Sequence, residues 1–465
     1  MFILHIALQG CVRATDVAYG LTPDTGGHIK YLLELVAAVD RRREVDRQEI
    51  VVRRFEDADL GADYARRTER VSSKSRIVRI DGRGTAYVSK EEMEEQLDAL
   101  MRSLERHLRS LDRLPDVIHA HYADAGALAL AMRRRFGIPV VFTAHSLGRV
   151  KREAEPHLAR DARLSRRIAM EDRVLHGVDA IVASSTNEAR EQYGLYDAVD
   201  PARIRVNPPG CDLSLQEMRC RRADARAAAS LDRFLREPDR PLVLAIARPV
   251  RKKNLAGLVR AFGGDARLRA KANLAIVAGC RTELGSLDGE ADAVMTELLR
   301  LVDDYDLWGQ VALPKRHEPA DVPAFYRHAA ARGGVFANPA TNEPFGLTLL
   351  EAAACGLPVV ATDCGGPVDI VGHCRNGLLV DPCDPTAWGH AMADLIADRA
   401  RWSEAAANGR RRAAHFNWDR HVDLYMRDLA RLVDAPIRPR AVDRLFDRSV
   451  QRLHPAREGA ISSPA

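Results

Sequence analysis

Phe2-Ile3-Leu4-His5-Ile6-Ala7-Leu8 is followed by a polar loop, and Asp24-Thr25-Gly26-Gly27 then lead into Ile29, Leu32, Leu33, Val36 and Val39 at helical spacing. A short apolar strand, a Gly-containing loop and a helix form one β-α unit, and the same order recurs along the chain. Further strands are expected at Ile50–Arg53, Arg76–Ile80, Val117–Ala120, Val140–Thr143 and Ala180–Ser184, with helices over Lys90–Leu111 and Ala123–Phe136. Asn207-Pro208-Pro209-Gly210 and a polar, Arg- and Ala-rich stretch interrupt this rhythm until about Pro241. It then restarts with strands at Leu242–Ala247, Leu274–Ala278, Val311–Leu313, Val335–Asn338 and Pro358–Thr362. Helices are expected between them at Leu255–Phe262, Met295–Tyr305, Val322–Ala331 and Leu347–Cys355, and a last one over Trp418–Val433. Alternation of this kind means parallel sheets covered by helices, so the fold class is α/β with two doubly wound, Rossmann-like domains. Ligands in such sheets sit at the C-terminal ends of the strands, so the chemistry is expected in strand-to-helix loops lining a cleft that the two domains face.

A length of 465 residues suits two or three domains rather than one core. Charge is nearly balanced, 70 basic against 65 acidic residues, which argues against a nucleic-acid binder. No stretch has the length of a membrane span, and the apolar start is too short for a signal-peptide core. Eight cysteines without a CxxC pair read as free thiols, so a cytoplasmic protein is expected. Lysine occurs only eight times, and Lys30, Lys90, Lys151, Lys252 and Lys253 all fall in or beside the segments that carry chemistry.

Four segments stand out. Gly26-Gly27 at a helix start suits an anion or a sugar oxygen, or is simply a turn. His145-Ser146-Leu147-Gly148-Arg149-Val150-Lys151 follows an apolar strand and offers a hydroxyl and cations to a phosphomonoester. Arg248 ends the first strand of the second half and Lys253 follows it. Two cations there suit a diphosphate leaving group, the alternative being a surface cluster. Glu343-Pro344-Phe345-Gly346-Leu347-Thr348-Leu349-Leu350-Glu351 is the most specific: two carboxylates bracket a loop and a helix start whose amides can hold a diphosphate. A helix-dipole role would explain one of these glutamates but not the pair. GxGxxG is absent, which weighs against a dinucleotide oxidoreductase.

The spacing of Glu343 and Glu351, with HYADAG (121–126), HSLGR (145–149), YGLYD (193–197), ARPVRKKN (247–254), EPFGLTLLEAA (343–353) and GGPVDI (365–370), resembles the retaining family 4 glycosyltransferases of GT-B fold, and among them the sucrose-phosphate synthases. The similarity runs over about residues 2–432. It implies an acceptor-binding domain, 1–212, joined by a returning helix, 418–433, a nucleotide-sugar domain, 213–417, and an Arg/Pro-rich tail, 434–465, dispensable for the reaction. It implies glucose transfer with retention from UDP-glucose to fructose 6-phosphate. Gly27, His28, Lys90, Ser146, Lys151 and Arg167 would hold the acceptor, with Arg166 an alternative to Arg167. Arg248 and Lys253 would clamp the diphosphate, with Phe345, Gly346, Leu347, Thr348 and Glu351 around the donor. His145, Arg248, Lys253 and Glu343 would be the catalytic group.

Three departures fall on the acceptor side: His28 stands where relatives carry Gln, Ala144 where they carry Gly, and the loop from Cys11 to Pro23 differs from some bacterial members. Sucrose synthase and mannosylfructose-phosphate synthase are the neighbouring readings, and a nucleotide-sugar epimerase is the reading from another class. The expected partners are small molecules, a nucleotide sugar and a sugar phosphate, together with a separate sucrose-phosphate phosphatase; no nucleic acid, membrane, cofactor or metal is expected.

Overall fold

The computed structural model describes residues 1–435 except 20, 21, 23, 198, 212, 214–219, 288 and 319. The expected tail therefore lies, from residue 436 on, outside the described residues. The chain forms two compact units: the first comprises 1–183, 192–205 and the chain from Val422, the second 184–191 and 206–421.

The first unit is built on a sheet of β1 (Phe2–Ala7), β2 (Arg47–Arg54), β3 (Thr68–Arg70), β4 (Ser75–Asp81), β5 (Val117–His121), β6 (Val140–Thr143), β7 (Ala180–Ala183) and β8 (Ile204–Val206). Their order is β3-β4-β2-β1-β5-β6-β7-β8. β1 is central and every one of its residues is buried, as an uninterrupted apolar run predicts for a strand covered on both faces. Its register sets His5 opposite His119 and Ala7 opposite His121. The helix Gly27–Asp40 buries Ile29, Leu32, Leu35, Val36 and Val39, one stripe at helical spacing.

The second unit holds β9 (Leu242–Ile246), β10 (Asn273–Val277), β11 (Val311–Ala312), β12 (Val335–Asn338), β13 (Val359–Thr362) and β14 (Gly377–Val380), ordered β11-β10-β9-β12-β13-β14. Its order reverses on either side of β9, so the loops after β9 and β12 flank the switch point where open α/β sheets bind ligands.

Several expectations need correction. The helix expected over Lys90–Leu111 begins only at Leu97, after a 3-10 turn at Met93–Gln96. The Lys90 amide is spent on the Asp24 carboxylate at 3.0 Å, which holds that residue outside the helix. β7 stops at Ala183, because the Ser184 amide donates to the Glu188 side chain at 2.6 Å. β3 is antiparallel to β4, an exception to the parallel rule. The stretch taken as irregular contains a helix, Arg221–Asp232, whose buried face is Ala223, Ala227 and Leu231; alanines give too weak an apolar signal to mark it. β14 and the helices Pro385–Ala397 and Arg399–Ala413 were not anticipated either.

Candidate active site

In the second unit the site starts from two glycines. Gly346 has φ 97° and caps the helix Leu347–Ala354. Gly365, at φ 98°, pairs with Glu343, and a Cβ there would stand 2.1 Å from the Glu343 carbonyl oxygen. Only glycine lets these two strand-to-helix loops lie this close. The Gly366 amide donates to that same carbonyl at 2.9 Å, so the 365–366 turn cradles the Glu343-Pro344-Phe345-Gly346 loop.

A third loop is fastened beside it. The Thr341 amide donates to the Lys252 carbonyl at 3.0 Å, and the Lys253 ammonium donates to Glu343 Oε2 at 2.5 Å. Asn338, the last residue of β12, donates to that oxygen at 3.3 Å. Burial by itself would raise the Glu343 carboxyl, but Lys253 and Asn338 hold it below the usual range, so Glu343 is ionised. Arg248 lies exposed two residues past the end of β9. Glu351 accepts from the Tyr326 hydroxyl at 3.1 Å, which orients its carboxylate. Leu347 and Thr348 are half-buried in the first helical turn. The Phe345 ring packs in the core with Phe416, their centroids 6.2 Å apart, which leaves its backbone for ligand contact.

Sequence reasoning missed a neighbouring cavity of about 560 Å³ at the ends of β10 and β11, lined by Cys280, Arg281, Thr282, Arg316 and His317 among others. The signal was there, since both segments directly follow apolar strands.

In the first unit the loop after β6 carries His145, whose φ of 57° is left-handed, and the exposed Ser146. Arg167 donates to the Ser146 hydroxyl at 2.9 Å and to its carbonyl at 2.8 Å, and its Nε donates to Glu171 at 2.8 Å. Arg166 instead pairs with Glu94 at 2.8 Å, so the two adjacent arginines are separated in role. Glu171 was not anticipated. It is buried, accepts the Gly148 amide at 2.8 Å and the Tyr196 hydroxyl, and so ties the 145–151 loop to the helix Ala162–Gly177. Lys151 is exposed on the helix Gly148–Ala154.

Gly27 opens its helix with nothing near its missing Cβ, and His28 stands with its ring centroid 5.8 Å from that of His145. The structure thus brings His28 to His145 and Arg167 to Ser146. Lys90 is brought to the loop that leads into Gly27, its ammonium 3.4 Å from the buried Asp24. The two Asp-x-Asp triplets, Asp57-Ala58-Asp59 and Asp304-Tyr305-Asp306, lie outside these loops. Asp57 accepts from the Asp59 and Leu60 amides at 3.0 and 3.1 Å, closing its own turn.

Two strand-end loop systems, one cationic around an ionised glutamate and one built from hydroxyl, arginine and imidazole groups, are what a two-domain transferase needs. The comparisons agree. Residues 26–215 match the family Glycosyltransferase Family 4, and residues 229–412 match Glycosyl transferases group 1. The chain belongs to these glycosyltransferases, with the GT-B class of fold.

Among them it is a homologue of the sucrose-phosphate synthases. It is 35% identical to probable sucrose-phosphate synthase 5 of Oryza sativa subsp. japonica, aligned over 94% of this chain and 52% of the relative. It is also 35% identical to sucrose-phosphate synthase 4 of Arabidopsis thaliana, over 92% and 47%. The chain thus spans about half the length of the curated relatives it matches. The solved sucrose-phosphate synthase of Thermosynechococcus elongatus superposes with TM-score 0.73 at 26% identity, covering 92% of this chain and 98% of that one. Anabaena HepE, solved with UDP-glucose, shares the fold at TM-score 0.65 and 19% identity, over 93% and 100%. Among the described residues no helix is long and apolar enough to cross a membrane.

Proposed function

We propose that this protein transfers glucose, with retention at the anomeric carbon, from UDP-glucose to fructose 6-phosphate, giving sucrose 6-phosphate and UDP. The observation that carries the acceptor is the Ser146–Arg167–Glu171 assembly. A guanidinium anchored at Nε by a buried carboxylate keeps its Nη2 edge at the Ser146 hydroxyl, a fixed cationic seat for a phosphomonoester at the C-terminal end of β6. A site for unphosphorylated fructose, or an epimerase, would leave this seat without a phosphate to bind. Its relatives' standing as sucrose-phosphate synthases supports the same reading.

On the donor side, Arg248, Lys253 and the amides of the helix after Gly346 take the diphosphate, Glu351 the ribose, and the cavity at β10 and β11 the base. Glu343 stays an anion held by Lys253 and Asn338 through the same oxygen, which suits it to steady the sugar rather than to attack it. The bond from the anomeric carbon to the phosphate oxygen breaks, and a bond from that carbon to the fructose hydroxyl oxygen forms on the same face. The hydroxyl proton passes to the departing phosphate, whose charge the two cations stabilise. No metal is assigned a part. The product's phosphate is left in place, so a separate phosphatase is the reaction class that would consume it.

The test is UDP release from UDP-glucose with fructose 6-phosphate, fructose and mannose 6-phosphate, with and without EDTA. Release is expected to be fastest with fructose 6-phosphate and insensitive to EDTA. Equal or faster release with fructose overturns the acceptor, and loss of activity in EDTA overturns the metal-free mechanism.

A further inference from the structure

Imidazoles are uncommon in the middle of a buried parallel sheet, and this sheet carries three. His5 on β1 faces His119 in register on β5, and His121 lies two residues on, on the same side of the strand. All three are buried, with ring centroids 4.2 to 5.8 Å apart. Their nitrogens approach within 4.8 Å of one another, the spacing of a metal site. The hydrogen bonds argue for another use. His119 is engaged at both nitrogens, with the Tyr425 hydroxyl and the Thr143 hydroxyl, each at 2.9 Å, and His5 Nε2 meets Gln48 Oε1 at 3.3 Å.

The row of rings does not stop at His121. His121 Nδ1 lies 2.9 Å from Nε2 of His145, with the two rings 22° from parallel. Burial drives both histidines well below their ordinary value, helped at His121 by His119 and at His145 by His28, so both are neutral. A hydrogen bond between two neutral imidazoles has one proton and two possible arrangements.

In one arrangement His145 Nε2–H donates to His121 Nδ1. The single ring proton of His121 then sits on its Nε2, which is buried without a hydrogen-bond partner among the described residues. A buried N–H with no acceptor is rare and carries its full desolvation cost. In the other arrangement His121 Nδ1–H donates to His145 Nε2, and His121 Nε2 is a bare lone pair. His5 shows the same pattern. Gln48 Nε2 donates to the Val36 carbonyl, Asp40 and Ser75, which turns Oε1 toward His5, so His5 is protonated at Nε2 and its buried Nδ1 is a lone pair.

We propose that His121 is a positioning residue for His145: it donates Nδ1–H to His145 Nε2 and thereby fixes the proton of His145 on Nδ1. His145 then meets the reacting sugar as a neutral hydrogen-bond donor and not as a base. This rests on the reading that His145 borders the reacting sugar, and it fits a reaction in which the leaving phosphate takes the acceptor's proton. The backbone also holds the two residues in place. Tyr122, next to His121, has φ 72° and His145 has φ 57°, and left-handed backbone at two bulky residues is a conformation that the surrounding structure has to enforce. Tyr31, Tyr122 and His28 close around the same ring at centroid distances of 5.4, 5.2 and 5.8 Å.

The test uses the full chain labelled with 15N histidine, with His145 identified by the signal lost in His145→Gln. A protonated, pyrrole-type Nδ1 and an unprotonated Nε2 are expected for His145 without any substrate, and protonation at Nε2 overturns the proposal. His121→Asn places an amide N–H where Nδ1–H lies, so it is expected to keep the tautomer and to hold kcat within about threefold. His121→Asp offers only an acceptor; the His145 proton should move to Nε2 and kcat should fall about tenfold or more, with the KM for UDP-glucose little changed. His121→Phe fills the space without a donor and should behave like Asp. If Phe matches Asn, the role of His121 is only to fill space and the proposal fails. The tautomer is read without turnover, so a wrong acceptor sugar would leave that result standing while overturning the reaction assigned above.

Discussion

The loops around Glu343 and those around His145 do comparable work with opposite means. At Glu343 the polar groups are full charges: an ammonium 2.5 Å from a carboxylate, with glycines admitting backbone on the other side. At His145 they are neutral rings stacked on neutral rings, buried enough to be kept from protonation. A site that must hold and release a diphosphate benefits from charge that grows in effect as the phosphate departs. A site that must present one hydrogen bond to a sugar benefits from a group whose proton cannot wander. The difference teaches that the Glu343 carboxylate is governed by a paired charge while the His145 ring is set by a neutral hydrogen bond, although the same first-unit loop also meets a charged guanidinium, Arg167, at Ser146.

The sharpest way to break this comparison is Lys253→Ala. On the function proposed above it removes a leaving-group cation, and it leaves Glu343 buried with Asn338 as its remaining side-chain hydrogen-bond partner among the described residues, so kcat/KM should fall by about 10² or more. The Glu343 carboxyl, now without its ammonium, should titrate higher, so activity should fade at a higher pH on the acid side than in the parent. Steady-state kinetics across pH reads both, and a parent-like profile would mean that charge is not the working principle there. Arg248→Ala should give a loss of the same order.

Acid stability tests the other half. His5 is lowered by burial from 6.5 to about 4. The unfolded chain therefore binds this proton first as pH falls. The stability held by neutral His5 is complete above pH 6.5, is lost between 6.5 and 4, and changes no further below. His5→Gln should lose less stability between about pH 7 and about pH 4.5 than the parent, by on the order of 2 kcal/mol, in urea unfolding at the two pH values. Parallel curves would show that the histidine row is not held neutral.

Arg167→Ala should raise the KM for fructose 6-phosphate about tenfold while leaving that for UDP-glucose near the parent's. Arg166→Ala, which touches Glu94 instead, should leave both alone, and equal effects would dissolve the distinction between the two arginines. The smallest effect is expected at His28. Its ring nitrogen is 3.4 Å from the Gln9 carbonyl and its edge meets Tyr122, so His28→Gln should retain activity and His28→Ala should raise the acceptor KM a few-fold. An unchanged KM in His28→Ala would make this ring packing alone.

The amino-acid sequence by itself determined the α/β class, the restart of the alternation at Leu242 and the loops that matter, because strand and helix periods and strand-end polar residues are local signals. It also marked Glu343, Glu351, Lys253 and Arg248, which lie in short contiguous motifs. It misread Lys90–Gln96 as α-helix because the Asp24 carboxylate that captures the Lys90 amide is 66 residues away in the chain. Glu171 was invisible for the same reason: a glutamate in an amphipathic helix carries no mark of the Gly148 amide and the Tyr196 hydroxyl that it binds. The histidine row is the clearest case. His5, His119 and His145 are far apart in the chain, and only the register of β1 on β5 and of β5 on β6 gathers their rings into one cluster with His121. Periodicity tells which side of a strand a residue faces. Which residue stands across from it is settled by strand pairing, and that is a property of the folded sheet alone.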